Sequence, residues 1–225
     1  MDGAMFITLE GIDGSGKTTQ AALVSAALRR RGYQVLQTRE PGGTLVGDQI
    51  RELVLDRKKS DSVLPHTELL LFCASRAQLV GEVIKPRLAE GYIVVCDRFA
   101  DSTLAYQGYG QGLDLERLRV ILDFATQGLV PDLTLYLDLA PEIGLQRRRK
   151  ASLFQGEDFN RLDAMKLAFH QRVHRGYQAL IAQTPSRWQR VNADQPEQDV
   201  HAALMQAVDA RLPQKQPEST DDITG

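Results

Sequence analysis

The residues with the clearest chemistry are Gly11, Ile12, Asp13, Gly14, Ser15, Gly16, Lys17 and Thr18. Together they read G-x-x-x-x-G-K-[ST], between a short apolar run, Phe6-Ile7-Thr8-Leu9, and a helical pattern that opens near Lys17. Glycines at those positions let backbone N–H groups turn inward around phosphate oxygens, at the positive end of a helix dipole. Lys17 is long enough to reach β- and γ-phosphates, and the Thr18 hydroxyl can sit on Mg2+. A Gly-rich turn before an ordinary helix is the bland alternative, and the strand–loop–helix context argues against it. The stretch predicts a nucleoside triphosphate site.

A phosphoryl donor needs an acceptor site, and scattered arginines point to one. Asp97 and Arg98 follow the near-continuous apolar run Tyr92-Ile93-Val94-Val95-Cys96. Ligands of open parallel sheets bind at such carboxyl ends of strands. A carboxylate there can hold Mg2+ directly or through water, and the neighbouring guanidinium can grip a phosphate bidentately. Arg39 ends another strand pattern and precedes a turn, Glu40-Pro41-Gly42-Gly43. Phe72 and Arg76 are spaced i, i+4, on one face of a helix, so a ring and a planar cation can stack a base and bond its edge. Each has a simpler reading: a surface ion pair, a solvated loop arginine, a core phenylalanine.

The elements that must position these groups alternate along the chain. The patterns predict helices over 19–31, 46–55, 66–90, 113–125, 164–182 and 196–212, and strands over 33–38, 92–96, 133–137 and 188–191. Pro86 is expected to kink or split the long helix, and Pro141 to start another. Residues 151–160 read as irregular, and 213–225 as a disordered, acidic tail. The expectation is an α/β chain: one domain over 1–212, with a mostly parallel, five-stranded sheet carrying helices on both faces.

Composition narrows the function classes. The 225 residues are 43% hydrophobic and 25% charged, with a formal net charge of −2, so global charge gives no case for nucleic acid or an anionic membrane as partner. No apolar run approaches the ~18 residues of a membrane span, and residues 1–4 do not open a signal peptide. Cys73 and Cys96 lie in apolar stretches far apart and read as buried free thiols, which predicts a reducing, cytoplasmic setting.

Taken together, the motifs resemble those of the thymidylate kinase family. The matching elements are the P-loop from Leu9 to Thr19, the turn from Thr38 to Thr44, the run from Leu71 to Arg76, Asp97-Arg98-Phe99 with Ser102-Thr103 and Ala105-Tyr106-Gln107-Gly108, and the run from Pro131 to Asp138. Their order is kept over about residues 5–200. The resemblance implies a P-loop nucleoside-monophosphate-kinase fold that converts dTMP to dTDP with ATP and Mg2+, usually as a homodimer. It implies that Phe72 stacks on thymine, that Arg76 bonds the base edge and that Arg39 and Arg98 hold the monophosphate. Ser102, Thr103 and Gln107 would belong to the acceptor pocket, and Tyr106 would fill the space of a ribose 2′-hydroxyl. Asp13 would meet the sugar or the metal's waters, and Thr18 and Asp97 would serve the metal.

Gly14 stands where related enzymes carry a basic residue, which implies a bacterial type that brings catalytic arginines from a lid over about 147–163. The candidates are Arg161 and one of Arg147, Arg148 and Arg149, with Arg149 assigned beside Lys17 and Arg98. Other readings are a P-loop kinase for a deoxynucleoside, UMP or GMP, or a nucleotide-binding regulatory module. A guanine-reading Asn-Lys-x-Asp element is absent from the sequence.

Overall fold

The computed structural model describes residues 3–55, 63–155 and 167–212. Among them, five strands form one parallel sheet in the order β2–β3–β1–β4–β5: β1 Met5–Glu10, β2 Val35–Arg39, β3 Ile93–Asp97, β4 Leu133–Asp138 and β5 Trp188–Asn192. Every residue of β1 is buried, as the central strand of a sheet covered on both faces must be. The register places Arg39, Asp97 and Leu9 in one row, so β1, β2 and β3 reach the same edge together.

Side chains alternate across this sheet with a period of two. On one face, Ile7, Leu9, Ile93 and Val95 join a core that includes Ala21 and Val24 of α1 (Lys17–Arg30) and Leu204 and Val208 of α9 (Glu197–Asp209). On the other, Phe6, Val94 and Cys96 pack with Leu79, Val80, Ile84 and Phe99. That second face is covered by α3 (Pro65–Leu79), by the segments around it and by α8 (Leu167–Gln183). The helix α2 (Leu45–Leu55) lies against α3, and α3 against α6 (Leu115–Thr126).

The long helix expected over 66–90 is interrupted earlier than its proline. A π-helical turn, Val80–Ile84, separates α3 from a short α4, Lys85–Ala89. Pro86 lacks an N–H and its ring crowds the carbonyl four residues back, so the wider turn just before it relieves both. A second π-helical segment, Leu104–Gly110, follows the short α5 (Ala100–Thr103), where the sequence patterns gave no element. The segment read as irregular over 151–160 is helical at its start, because α7 runs over Pro141–Gln155. The rest of it, and the expected tail from 213, lie outside the described residues.

Candidate active site

The Gly11–Thr18 loop joins the C-terminal end of β1 to the first turn of α1, and its shape depends on glycine. Gly11, Gly14 and Gly16 have φ of 148°, 80° and 90°. A Cβ on Gly11 would lie 2.7 Å from the Leu137 carbonyl oxygen, and one on Gly144 of α7 would lie 2.5 Å from the Asp13 carbonyl oxygen. Loop and helix therefore touch through two glycines, 14 and 144, and Gly14 leaves no room for a side chain toward α7. Lys17 folds back over the loop, donating to Ile12 O at 2.7 Å and Ser15 Oγ at 3.4 Å. Burial and the nearby Arg98 charge push its pKa down to about 8, against the pull of Asp13, Asp97 and Glu10.

Thr18 Oγ1 donates to Asp97 Oδ2 at 2.5 Å, while Asp97 Oδ1 is buried without a hydrogen-bond partner. A hydroxyl and an unsatisfied carboxylate oxygen beside a phosphate loop suit Mg2+, which keeps waters and takes few protein ligands. Among the described residues there is no cluster of three or more His, Cys, Asp or Glu side chains able to cage a metal.

Arg98 links the loop to the opposite wall. Its guanidinium donates from Nη2 to Asp13 Oδ1 at 2.5 Å and from Nη1 to Gly11 O at 3.2 Å and Ser102 Oγ at 3.1 Å, and lies 4.9 Å from the Tyr106 ring centre. The Tyr106 hydroxyl donates to Asp13 Oδ2 at 2.7 Å. Burial alone would raise Asp13; the Arg98 and Lys17 charges and the Tyr106 hydroxyl reverse it and hold the carboxyl below the usual range. Both Asp13 oxygens are thus engaged on the acceptor side. Arg98 has φ 71°, a left-handed conformation rare outside glycine.

These groups line a cavity of about 510 Å3, a size suited to a small organic ligand. Arg39, half-exposed, reaches it from the end of β2 and pairs with Asp48 at 3.3 Å. Arg51 of α2 lines it too, held by the Pro41 carbonyl at 2.9 Å, and was not singled out in the sequence. Its position on an ordinary amphipathic helix carried no signal; the nearby Gly-rich turn, whose Pro41 carbonyl it bonds, was the one available clue. Phe72, Arg76, Thr103 and Gln107 line the deeper part. Arg76 is 3% exposed, bonds Glu40 from Nε at 2.7 Å and Thr103 Oγ1 from Nη2 at 3.1 Å, and keeps Nη1 buried without a partner. Its guanidinium lies 5.6 Å from the centre of the Phe99 ring. Gln107 donates to Glu68 at 2.9 Å.

Toward the expected lid, Arg147, Arg148 and Ala151 line the cavity on one face of α7, whereas Arg149 is exposed and does not. One residue turns a helix by about 100°, which carries Arg149 off that face. Arg147 bonds Ala193 O and Asp194 Oδ1, each at 3.0 Å. Arg161 lies outside the described residues.

A cradle for triphosphate, an arginine–aspartate wall and a deep pocket lined by a guanidinium with one unpartnered nitrogen together describe a site for two nucleotides. The thymidylate kinase family model matches residues 9–204. A thymidylate kinase of Roseiflexus castenholzii is 50% identical over 222 residues, covering 94% of this chain and 96% of that protein. One from a Synechococcus species is 52% identical over 209 residues, covering 93% and 96%. The crystal structure of thymidylate kinase from Ehrlichia chaffeensis superposes with a TM-score of 0.73 at 34% identity, covering 92% of this chain and 99% of that one. The sheet and its helices are accordingly the P-loop nucleoside-monophosphate-kinase fold, and this chain belongs to the thymidylate kinase family.

Proposed function

We propose that this protein transfers the γ-phosphoryl group of ATP to dTMP, giving ADP and dTDP. The observation that carries the reading, beyond family membership, is the Arg98–Asp13 pair, which fastens an acceptor-side arginine to the loop that holds the donor. The acceptor is a phosphate monoester with a second pKa of about 6, so its oxygen is already largely ionised at neutral pH and no general base is required. The task is to bring two anions into line and stabilise the charge that spreads in transfer.

Lys17 and the backbone N–H groups of the loop hold and orient the β- and γ-phosphates. Arg98, Arg39 and Arg51 draw the acceptor phosphate toward them. Arg76 Nη1 donates to the base carbonyl edge, with Phe72 against the ring, and Thr103 and Gln107 complete the pocket. The Tyr106–Asp13 pair occupies space beside the sugar and disfavours a 2′-hydroxyl. Thr18 and Asp97 would hold Mg2+, which would supply charge neutralisation for the phosphates. Arg148 and Arg147 are better placed than Arg149 to add cations from α7, with Arg161 completing a lid over about 147–163 that excludes water.

The protein acts as a single domain over 1–212, and as a homodimer. Support for the dimer is the exposed apolar set Leu45 and Leu53 of α2, Leu70 of α3, and Val120 and Phe124 of α6, on three helices that pack side by side. Sedimentation velocity should give twice the monomer mass. Among the described residues no helix is long and apolar enough to cross a membrane, and a cytoplasmic setting fits the buried free thiols Cys73 and Cys96. The deciding assay is ADP release from Mg-ATP with dTMP, dUMP, UMP, GMP, AMP and thymidine in parallel. The proposal requires dTMP to be the best acceptor; equal or higher turnover with another would overturn it.

A further inference from the structure

Glu10 is the last residue of β1, immediately before the phosphate loop, and it is fully buried. A carboxylate in that place is unfavourable and packing does not require it. Its two oxygens accept three hydrogen bonds, all from the acceptor side of the site. Oε1 takes the backbone N–H of Phe99 at 2.8 Å. Oε2 takes the Ser102 hydroxyl at 2.6 Å and the Tyr177 hydroxyl, from α8, at 2.8 Å.

These partners surround Arg98. The backbone N–H of Arg98 is tied to Leu9 O at 3.0 Å and the next N–H to Glu10, so two consecutive residues of β1 hold two consecutive amides of the turn. That turn contains the left-handed Arg98, a conformation unfavourable for an L-residue unless its surroundings fix it. Because Ser102 gives its proton to Glu10, the lone pairs of its oxygen face the Arg98 guanidinium, which donates to it at 3.1 Å. Burial and the neighbouring Asp101 carboxylate push Glu10 up to about 7, while Ser102, Arg98 and the Phe99 N–H pull it down. Asp101 is itself neutralised by a two-pronged pair with Arg187, at 2.7 Å to each oxygen, which limits its push on Glu10.

The geometry points to Glu10 as the positioning residue for Arg98: one oxygen pins the backbone just after it, and the other orients the hydroxyl that receives its guanidinium. Glu10 is not itself part of the cavity lining and acts through Arg98. The inference rests on the reading that Arg98 grips the acceptor phosphate.

The test compares wild type, Glu10→Gln, Arg98→Ala and the double variant, full chain, with dTMP and Mg-ATP varied in turn. Glu10→Gln should raise KM for dTMP by about tenfold and leave KM for ATP within about twofold. In the Arg98→Ala background it should add almost nothing, because its effect is spent through that residue. An unchanged dTMP KM, an equal rise for both substrates, or effects that multiply in the double variant would each overturn the assignment of Glu10 while leaving the Arg98 clamp intact. An Arg98→Ala protein with an unchanged dTMP KM would instead remove the clamp reading and the Glu10 role with it. Should Glu10→Gln not fold, Glu10→Asp keeps the charge but withdraws it by one methylene; it should show the same selective rise for dTMP, and wild-type constants would overturn the role.

Discussion

Between Gly11 and Thr18 the site is built of main chain: glycines in left-handed conformations, a helix start, and one lysine folded across them. Across the cavity it is built of side chains that reach one another from distant parts of the sequence, as in Arg98 with Asp13, Arg76 with Glu40, and Glu10 with Tyr177. The donor half is drawn mostly from one contiguous stretch, seated against α7. The acceptor half draws on β1, β2, β3, α3, α5 and α8, and each of its pairs needs two distant elements in place. Substitutions should therefore behave differently on the two sides: local and kinetic at the loop, coupled and partly structural at the wall.

The largest effect should come from the loop. Lys17→Ala should lower kcat by about 10²- to 10³-fold with the melting temperature little changed, since the amine is directed at charge that develops in transfer. Turnover near wild type would break the assignment of the loop as the reacting half. On the wall, Arg76→Ala should mix binding with stability. It leaves Glu40 buried and unpaired, a cost of about 3–5 kcal/mol in denaturant unfolding, and it raises KM for dTMP while blurring the choice among bases. Adding Glu40→Gln should recover much of the stability and none of the dTMP affinity; recovery of both would mark the pair as scaffold alone.

The contact between the halves of the donor site gives a smaller effect. Gly144→Ala places a methyl against the Asp13 carbonyl and should cost about 1–3 kcal/mol of stability, with weaker ATP binding. Normal stability and ATP affinity in that variant would mean that loop and α7 do not move as one. The smallest concerns pH. Lys17 titrates at about 8 in the free protein, and a bound triphosphate favours its charged form, so ATP binding takes up a proton near that pH. Affinity for Mg-ATP should then fall about tenfold from pH 7 to 9, with proton uptake seen by calorimetry in buffers of different ionisation enthalpy. Affinity independent of pH across that window would contradict a depressed Lys17.

The same contrast explains what could be read from the chain. The loop, the strand ends at Arg39 and Asp97, and the Phe72–Arg76 face are local patterns, and the structure brings them to one cavity. Arg51 gave no signal because an arginine on an amphipathic helix is ordinarily a solvated residue. Glu10 had a signal, a charge at the end of an otherwise buried strand, but its meaning depends on Tyr177, whose approach is set by α8 packing against the π-helical segment Leu104–Gly110. That segment carries a motif but no helical periodicity of its own: Gly110 faces Phe169, and Tyr109 faces Gly176, contacts that exist only once the helices meet. The exposed side of Arg149 was likewise a matter of helix phase, and α7 running on to Gln155 is what fixes that phase.

Asp13 lies in the donor loop by sequence and in the acceptor wall by its partners, so it tests the account most directly. Calorimetric titration of wild type and Asp13→Asn with dTMP alone, and separately with Mg-ATP, separates the two memberships. Loss of the ion pair with Arg98 should weaken dTMP binding by about tenfold and leave Mg-ATP binding within about twofold. A variant that loses Mg-ATP affinity while keeping dTMP affinity would contradict the claim that one loop reads both substrates.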